Sequence, residues 1–264
     1  MSTRSNPQMR PARMQHLWIH TALPLVLLLA YAIASSRPGI SNYLMPPIPK
    51  LLQTAGGLFA SGELLSHILI SLQRVFLGFF LSSAFALPLA ISLANWPKLE
   101  PFFAGSLHFL RATPPLAMVP LLILWFGIGE SSKLALIVLA AFFPVFLNTL
   151  SSLKQVDMGL LEMGDSLELR TQHRLLHIYL PEAMPGIITG LRLAFGYSWR
   201  ALIGAEMIAA SSGLGYLILD SQQMARIDKV YVGIFSIGML GMILDAALSQ
   251  LARRYFPSRQ QETA

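Results

Sequence analysis

Two histidine pairs, His16/His20 and His173/His177, repeat at i,i+4 spacing, which sets two imidazoles on one face of a helix and could seat a divalent metal. No carboxylate is fixed beside either pair by spacing, and both flank membrane-length apolar runs. Interfacial or partner-facing rings account for them better, and no metal site is assigned. The stretch Gly127-Ile128-Gly129-Glu130-Ser131-Ser132-Lys133 has the composition of a phosphate-binding loop but fails the GxxxxGK[ST] spacing, since Leu134 follows the lysine. It reads as a turn between two apolar runs, and no nucleotide site is assigned to it. No cysteine is present, which excludes disulfides, iron–sulfur clusters and thiolate zinc. No Ser/His/Asp arrangement assembles from spacing, and no catalytic residue is assigned.

The ionisable residues inside apolar runs are more informative. Arg74, Arg111, Arg192, Arg200, Glu206 and Asp245 all fall in or near such runs. A charged side chain facing lipid costs about 2.5–3.5 kcal/mol on insertion scales, so each must face protein, water or the interface. By depth Arg74 lies level with Glu206, and the two are expected to pair as structural glue. Arg111 and Arg200 lie deeper with no carboxylate at their level. For these two, an anion pathway and hydrogen bonding to backbone carbonyls both stand as readings.

These charges need elements to carry them. The 264 residues are 54% hydrophobic and 12% charged, against roughly a quarter charged in a soluble domain, so lipid is expected to cover most of the outside. Six stretches are long enough for about 20 residues of spanning helix: Leu17–Ser35, Ser71–Asn95, Phe102–Phe126, Leu134–Leu153, Ile187–Ser211 and Val230–Gln250. None alternates polar and apolar as barrel strands do, so the class is all-α and polytopic. Arg4, Arg10 and Arg13 ahead of the first run resemble a signal peptide, but the run is long for one and five more spans follow, so a retained anchor is expected. Pro114, Pro115 and Pro120 remove backbone donors from the third span and must kink or unwind it, which is tolerated where protein or a water-filled cavity surrounds it. That span is expected to line the translocation path.

Orientation follows from loop lysine and arginine. With the N-terminus inside, Arg4, Arg10, Arg13, Lys98, Lys154, Arg170, Arg174, Arg253, Arg254 and Arg259 are cytoplasmic. Arg37, Lys50, Lys133, Arg226 and Lys229 are outside. Both termini are therefore expected in the cytoplasm, and the net charge of +6 reflects topology with no nucleic acid implied. Residues 1–16 are expected to form a cytoplasmic tail and 17–264 one transmembrane domain. An outer segment containing Met45-Pro46-Pro47-Ile48-Pro49 leads into an expected surface helix, and an inner loop covers 154–185.

In that inner loop Leu160, Met163, Gly164 and Leu167 recur at helical spacing. A short amphipathic helix opened by Glu162 is expected, then a second near Gln172–Leu180 that Pro181 stops. The loop resembles that of permease subunits of binding-protein-dependent ABC importers, whose signature is Glu-Ala-Ala, then Gly, then Ile-x-Leu-Pro. Glu162, Ile178, Leu180 and Pro181 match; Met163 and Gly164 replace the alanines, and Glu168 stands where the glycine usually is. Further matches are Ser71-Leu72-Gln73-Arg74-Val75, Trp125-Phe126-Gly127-Ile128-Gly129, Gly190-Leu191-Arg192, and Ala205-Glu206-Met207 with Ser212-Gly213-Leu214-Gly215-Tyr216. These are similar to the nitrate, sulfonate and taurine branch.

The resemblance implies a type I importer permease fold in a bacterial inner membrane, working as a homodimer or pseudo-dimer. Its implied partners are two cytoplasmic ATPase subunits, which hold the ATP and Mg, and a periplasmic or lipid-anchored receptor. It also implies that Glu162, Met163, Gly164, Leu167, Glu168, Ile178, Leu180 and Pro181 form the ATPase-coupling loop, with Gly164 on the face that enters the partner's groove. Arg74, Arg111, Arg192, Arg200 and Glu206 are the candidates for the translocation path or for intramembrane charge. The cargo implied is an alkanesulfonate, taurine or nitrate; a thiamine-precursor pyrimidine is the rival within the class. A proton-coupled secondary transporter using Glu206 or Asp245 is the rival outside it, and an intramembrane enzyme is a weaker one.

Overall fold

The structure is a computed structural model that describes Leu23, residues 26–36 and residues 43–255. His16, His20, the expected cytoplasmic tail and most of the start of the first span lie outside the described residues. Within them the chain is helical, with α1 at Val26–Ser35, α2 at Ile48–Ala60, α3 at Glu63–Asn95, α4 at Glu100–Ala112 and α5 at Val119–Phe126. There follow α6 at Glu130–Lys154, α7 at Met158–Ser166, α8 at Thr171–Arg174, α9 at Leu180–Ala209, α10 at Leu214–Gln223 and α11 at Ile227–Tyr255. The expected surface helix is α2, which Pro47 and Pro49 open.

The centre is a bundle of α3, α6 and α9, packed through small residues. Lipid tails are as apolar as leucine, so close backbone approach drives association instead. Along α3 the buried positions Ser71, Val75, Gly78, Ser82, Ala86 and Ala90 form one stripe at three- and four-residue intervals. A Cβ on Gly78 would lie 2.5 Å from Ile137 Cγ2 of α6. On α9, Gly186 lies against Ser152 of α6, and Gly190 has the Pro144 carbonyl 3.0 Å from where its Cβ would stand. Outside this bundle α10 packs on α11 and α9, and α2 packs on α11.

Two expected spans differ from what the chain does. Phe102–Phe126 is two helices: α4 and α5 meet at a 92° bend across Thr113, Pro114 and a 3₁₀ turn, Pro115–Met118. Pro114 and Pro115 lack the N–H groups that would carry α4 onward, so the chain unwinds where the prolines predict. The second difference is Pro181, which does not stop a helix. Leu175–Tyr179 forms a π-helical turn leading straight into α9, with Pro181 in the first turn of α9. Pro181 thus sits inside a continuous helical run, and the π-turn immediately before it is the kind of local irregularity that accommodates a helix proline. The inner loop is therefore mechanically continuous with the fifth apolar run. That run also continues past Ala209 as α10, bent by 40° from it, a short helix the hydropathy pattern did not separate.

Candidate functional site

The inner loop folds as a hairpin between α6 and α9. Asp157 opens α7: its Oδ1 accepts from the Gly159 N–H at 2.6 Å, the bond expected of an N-cap. Glu162 does not open the helix. It stands a full turn inside, exposed, with its carbonyl accepting from Ser166 Oγ at 2.9 Å. The C-terminus is closed by Leu169 N–H to the Gly164 carbonyl at 3.1 Å, which leaves Glu168 at φ 49. This is the six-to-one closure of a Schellman motif, whose penultimate position favours glycine because a Cβ is strained in the left-handed region. The departure from the family's glycine at Glu168 therefore falls on the one residue of the turn for which glycine is wanted.

Gly164 faces inward, contrary to expectation. It is buried, and a Cβ there would lie 2.8 Å from Ile178 Cδ1 and 3.7 Å from Arg174 Cγ. The glycine lets α7 press on the π-turn. Ile178 is buried in that contact, and Leu180 and Pro181 carry it into α9. Met158 and Met163 of α7, Leu167 just after it and Leu176 of the π-turn are apolar and each more than half exposed. His173 and His177 stack at 5.6 Å on the same hairpin.

At the opposite end of the bundle four charges form a knot. Arg74 Nη1 donates to Glu206 Oε1 at 2.8 Å and to the Ser212 carbonyl at 2.7 Å, while its Nη2 and Nε grip Glu130 at 2.6 and 2.7 Å. Lys133 closes on Glu130 at 2.8 Å. Glu206 is fully buried and also accepts from Ser71 Oγ and from the Gly215 N–H. Arg74 thus ties α3 to the start of α6 and to the α9–α10 turn. Gly213, at φ 111, leaves no room for a Cβ, which would fall 2.2 Å from Glu206 Oε1. All five N–H groups of Arg74 find acceptors and both carboxylate oxygens of Glu206 find donors, the condition for keeping such charges out of water.

The remaining candidates separate. Arg192 leaves the bundle for α11, bonding Ser249 Oγ and lying 3.8 Å from Asp245. Arg200 lies 5.6 Å from the centroid of the Tyr197 ring. Arg111 sits in the last turn of α4, at the 92° bend, and lines a cleft of about 370 Å³. The other walls come from the middle of α6, including Phe143, Leu147 and Asn148, and of α9, including Leu193 and Tyr197. A smaller cleft of about 150 Å³ shares Arg111 and adds His108 and Glu100, whose carboxylate is held by Lys154. Arg200 is not among the residues lining either cleft. Of the two deep arginines, the fold brings one to a cavity and sets the other against a ring.

A profile of the binding-protein-dependent transport system inner membrane component family matches residues 64–257, which includes the knot, the cleft and the hairpin. The chain belongs to this family. The permease is 35% identical to SsuC of Bacillus subtilis, a permease assigned to aliphatic sulfonates, over 93% of this chain and 89% of that one. It is 35% identical to the taurine transport system permease protein TauC of Escherichia coli, over 88% and 86%. Among solved structures, the inward-facing MetNI methionine ABC transporter matches at a TM-score of 0.64 and 16% identity, covering 72% of this chain and 95% of that one. That likeness establishes the type I importer permease fold. The permease is thus a transport subunit and not an enzyme, and ATP hydrolysis belongs to a separate subunit.

Several residues of the permease's sites escaped sequence reasoning. Asp157 was legible as a cap residue ahead of an apolar run. Ser71 and Ser212 lie in stretches whose likeness to the family was plain, and Glu130 just past one, but their contacts span 56 to 138 residues. Asn148 and Tyr197 carried no signal, because an amide or phenol in a span becomes meaningful when a cavity is known beside it.

Proposed function

We propose that two copies of this permease form the path of an importer for a small anion, of the alkanesulfonate, taurine or nitrate class, in a bacterial inner membrane. Both termini and the hairpin are cytoplasmic. The observation that carries the reading is the hairpin itself: it leaves Met158, Met163, Leu167 and Leu176 exposed, and its helix α7 is pressed through Gly164 against Ile178 at the base of α9. A groove on an ATPase subunit that grips these residues displaces α7, and the contact of Gly164 with Ile178 passes the displacement into a helix that lines the cleft. ATP and Mg are bound by that subunit, and a receptor delivers the solute. Second copies are supported by α4, which has no buried residue, and by Leu124 and Trp125 of α5, which this chain leaves exposed. An anionic solute is supported by Arg111 at the cleft and by the solutes for which the relatives are named.

The test is reconstitution of the permease with its ATPase subunits in vesicles, with receptor and solute added. Uptake is expected to require ATP and receptor and to persist when the proton gradient is collapsed. Uptake that follows the proton gradient without ATP overturns the reading. Orientation is tested on the cysteine-free chain: an impermeant reagent added to intact spheroplasts is expected to label Met224→Cys and not His173→Cys, and the reverse pattern overturns it.

A further inference from the structure

The cleft at the bend carries information about the solute that reaches beyond its sign. Arg111 is its one cationic side chain, and no hydrogen bond or ion pair among the described residues engages that guanidinium. No aspartate or glutamate lines the cleft. Its other polar groups are three. Thr113 Oγ1 donates to the Phe109 carbonyl, Asn148 Nδ2 donates to the Pro144 carbonyl at 2.8 Å, and the Tyr197 hydroxyl bonds nothing among the described residues. Asn148 keeps a second N–H, and the phenol keeps its O–H. The rest of the wall is hydrocarbon, including Leu110, Leu139, Phe143, Leu147 and Leu193. Charges facing Arg111 from the smaller cleft are Glu100, already held by Lys154, and His108.

We infer that this cleft is a solute site within the permease, in which Arg111, Tyr197 and Asn148 hold the head of a monoanion while the leucine and phenylalanine wall holds an alkyl tail. The site therefore prefers an unsubstituted alkanesulfonate to a zwitterionic aminosulfonate and to nitrate. One guanidinium balances one charge, so a dianion is left partly uncompensated. A zwitterion brings an ammonium that no carboxylate receives, and stripping it of water without a partner is unfavourable. Nitrate satisfies the head groups and leaves the apolar wall uncovered. Mid-depth placement follows from the lining: Leu139 to Asn148 are the middle of α6, and Leu193 and Tyr197 the middle of α9. Arg200 lies over the Tyr197 ring and is not among the residues that line the cleft. Selectivity is then shared between receptor and permease.

This inference rests on the anion-importer reading, and the two fail differently. The complex of permease and ATPase subunits, in nanodiscs without receptor, is titrated with propane-1-sulfonate, hexane-1-sulfonate, taurine and nitrate. Taurine and propane-1-sulfonate are nearly the same size and differ in ammonium against methyl. Propane-1-sulfonate is expected to bind at least tenfold tighter than taurine. Lengthening to hexane-1-sulfonate should tighten binding by up to about fourfold per methylene. Arg111→Gln should weaken hexane-1-sulfonate at least tenfold, and Arg111→Lys should retain most of the affinity. Leu193→Trp, which fills the tail space from a half-exposed position, should erase the gain from chain length, and it decides the matter if Arg111→Gln fails to accumulate. Taurine binding as tightly as propane-1-sulfonate, unaltered binding in Arg111→Gln, or an undiminished chain-length gain in Leu193→Trp overturns the inference. ATP-driven, receptor-dependent uptake that proceeds despite those results removes the cleft site alone. Failure of every anion to be taken up removes the anion-importer reading itself.

Discussion

Removing the guanidinium of Arg74 should destabilise the end of the bundle opposite the hairpin far more than removing the whole buried pair. In Arg74→Met, Glu206 stays fully buried with Ser71 Oγ and the Gly215 N–H as its donors, and it loses the cation 2.8 Å away. Glu130 suffers less, because its side chain is 58% exposed and keeps Lys133 at 2.8 Å. The Ser212 carbonyl loses its donor as well. Stranding a buried charge typically costs about 3–5 kcal/mol, and the Glu206 site has the burial that puts it in that range. The double variant Arg74→Met, Glu206→Gln removes both charges while the carboxamide oxygen still accepts from Ser71 or Gly215. What then remains unpaired is neutral, at about 1–3 kcal/mol. The assay is equilibrium unfolding of the purified permease in mixed micelles, with wild type, both single variants and the double in one cycle. The expected order is wild type, then the double, then Arg74→Met. A double variant as unstable as Arg74→Met would show that the penalty is lost packing and not a stranded charge.

Three further outcomes follow. Gly164→Trp is expected to force α7 off Ile178 and prevent the permease from capturing its ATPase, whereas Met163→Asp should leave the hairpin folded, seen as unchanged limited proteolysis of the loop, while abolishing the same capture. Glu168→Gly should relieve a left-handed non-glycine residue and stabilise the hairpin by up to about 1 kcal/mol, read as slower proteolysis between α7 and α8; faster cleavage would contradict the Schellman assignment. Gly190→Leu should drive a side chain into the Pro144 carbonyl and Asn148, spread α6 from α9 and cost about 1–3 kcal/mol, so that the permease accumulates poorly; normal accumulation would show that the two helices do not approach so closely in the membrane.

Hydropathy alone determined that the chain is helical and crosses a membrane, because each span satisfies its own backbone and needs no partner to be recognised. The proline cluster likewise announced the unwound third span, a local consequence of missing N–H groups. The hairpin's place and its likeness to the coupling loop were legible in Glu162, Ile178, Leu180 and Pro181. Which way Gly164 faces was not, since a one-residue phase on a short helix is fixed by what packs against it, here Ile178. Depth along two helices suggested that Arg74 and Glu206 pair. Glu130 joins them because the α5–α6 turn folds back over α3, a fact of topology and not of hydropathy. Arg111 and Arg200 are alike in sequence, each a deep cation without a neighbouring acid. The tertiary structure set one at a cavity and the other against Tyr197, because a side chain's use depends on the shape of the space beside it, and that space is made by α6 and α9 together.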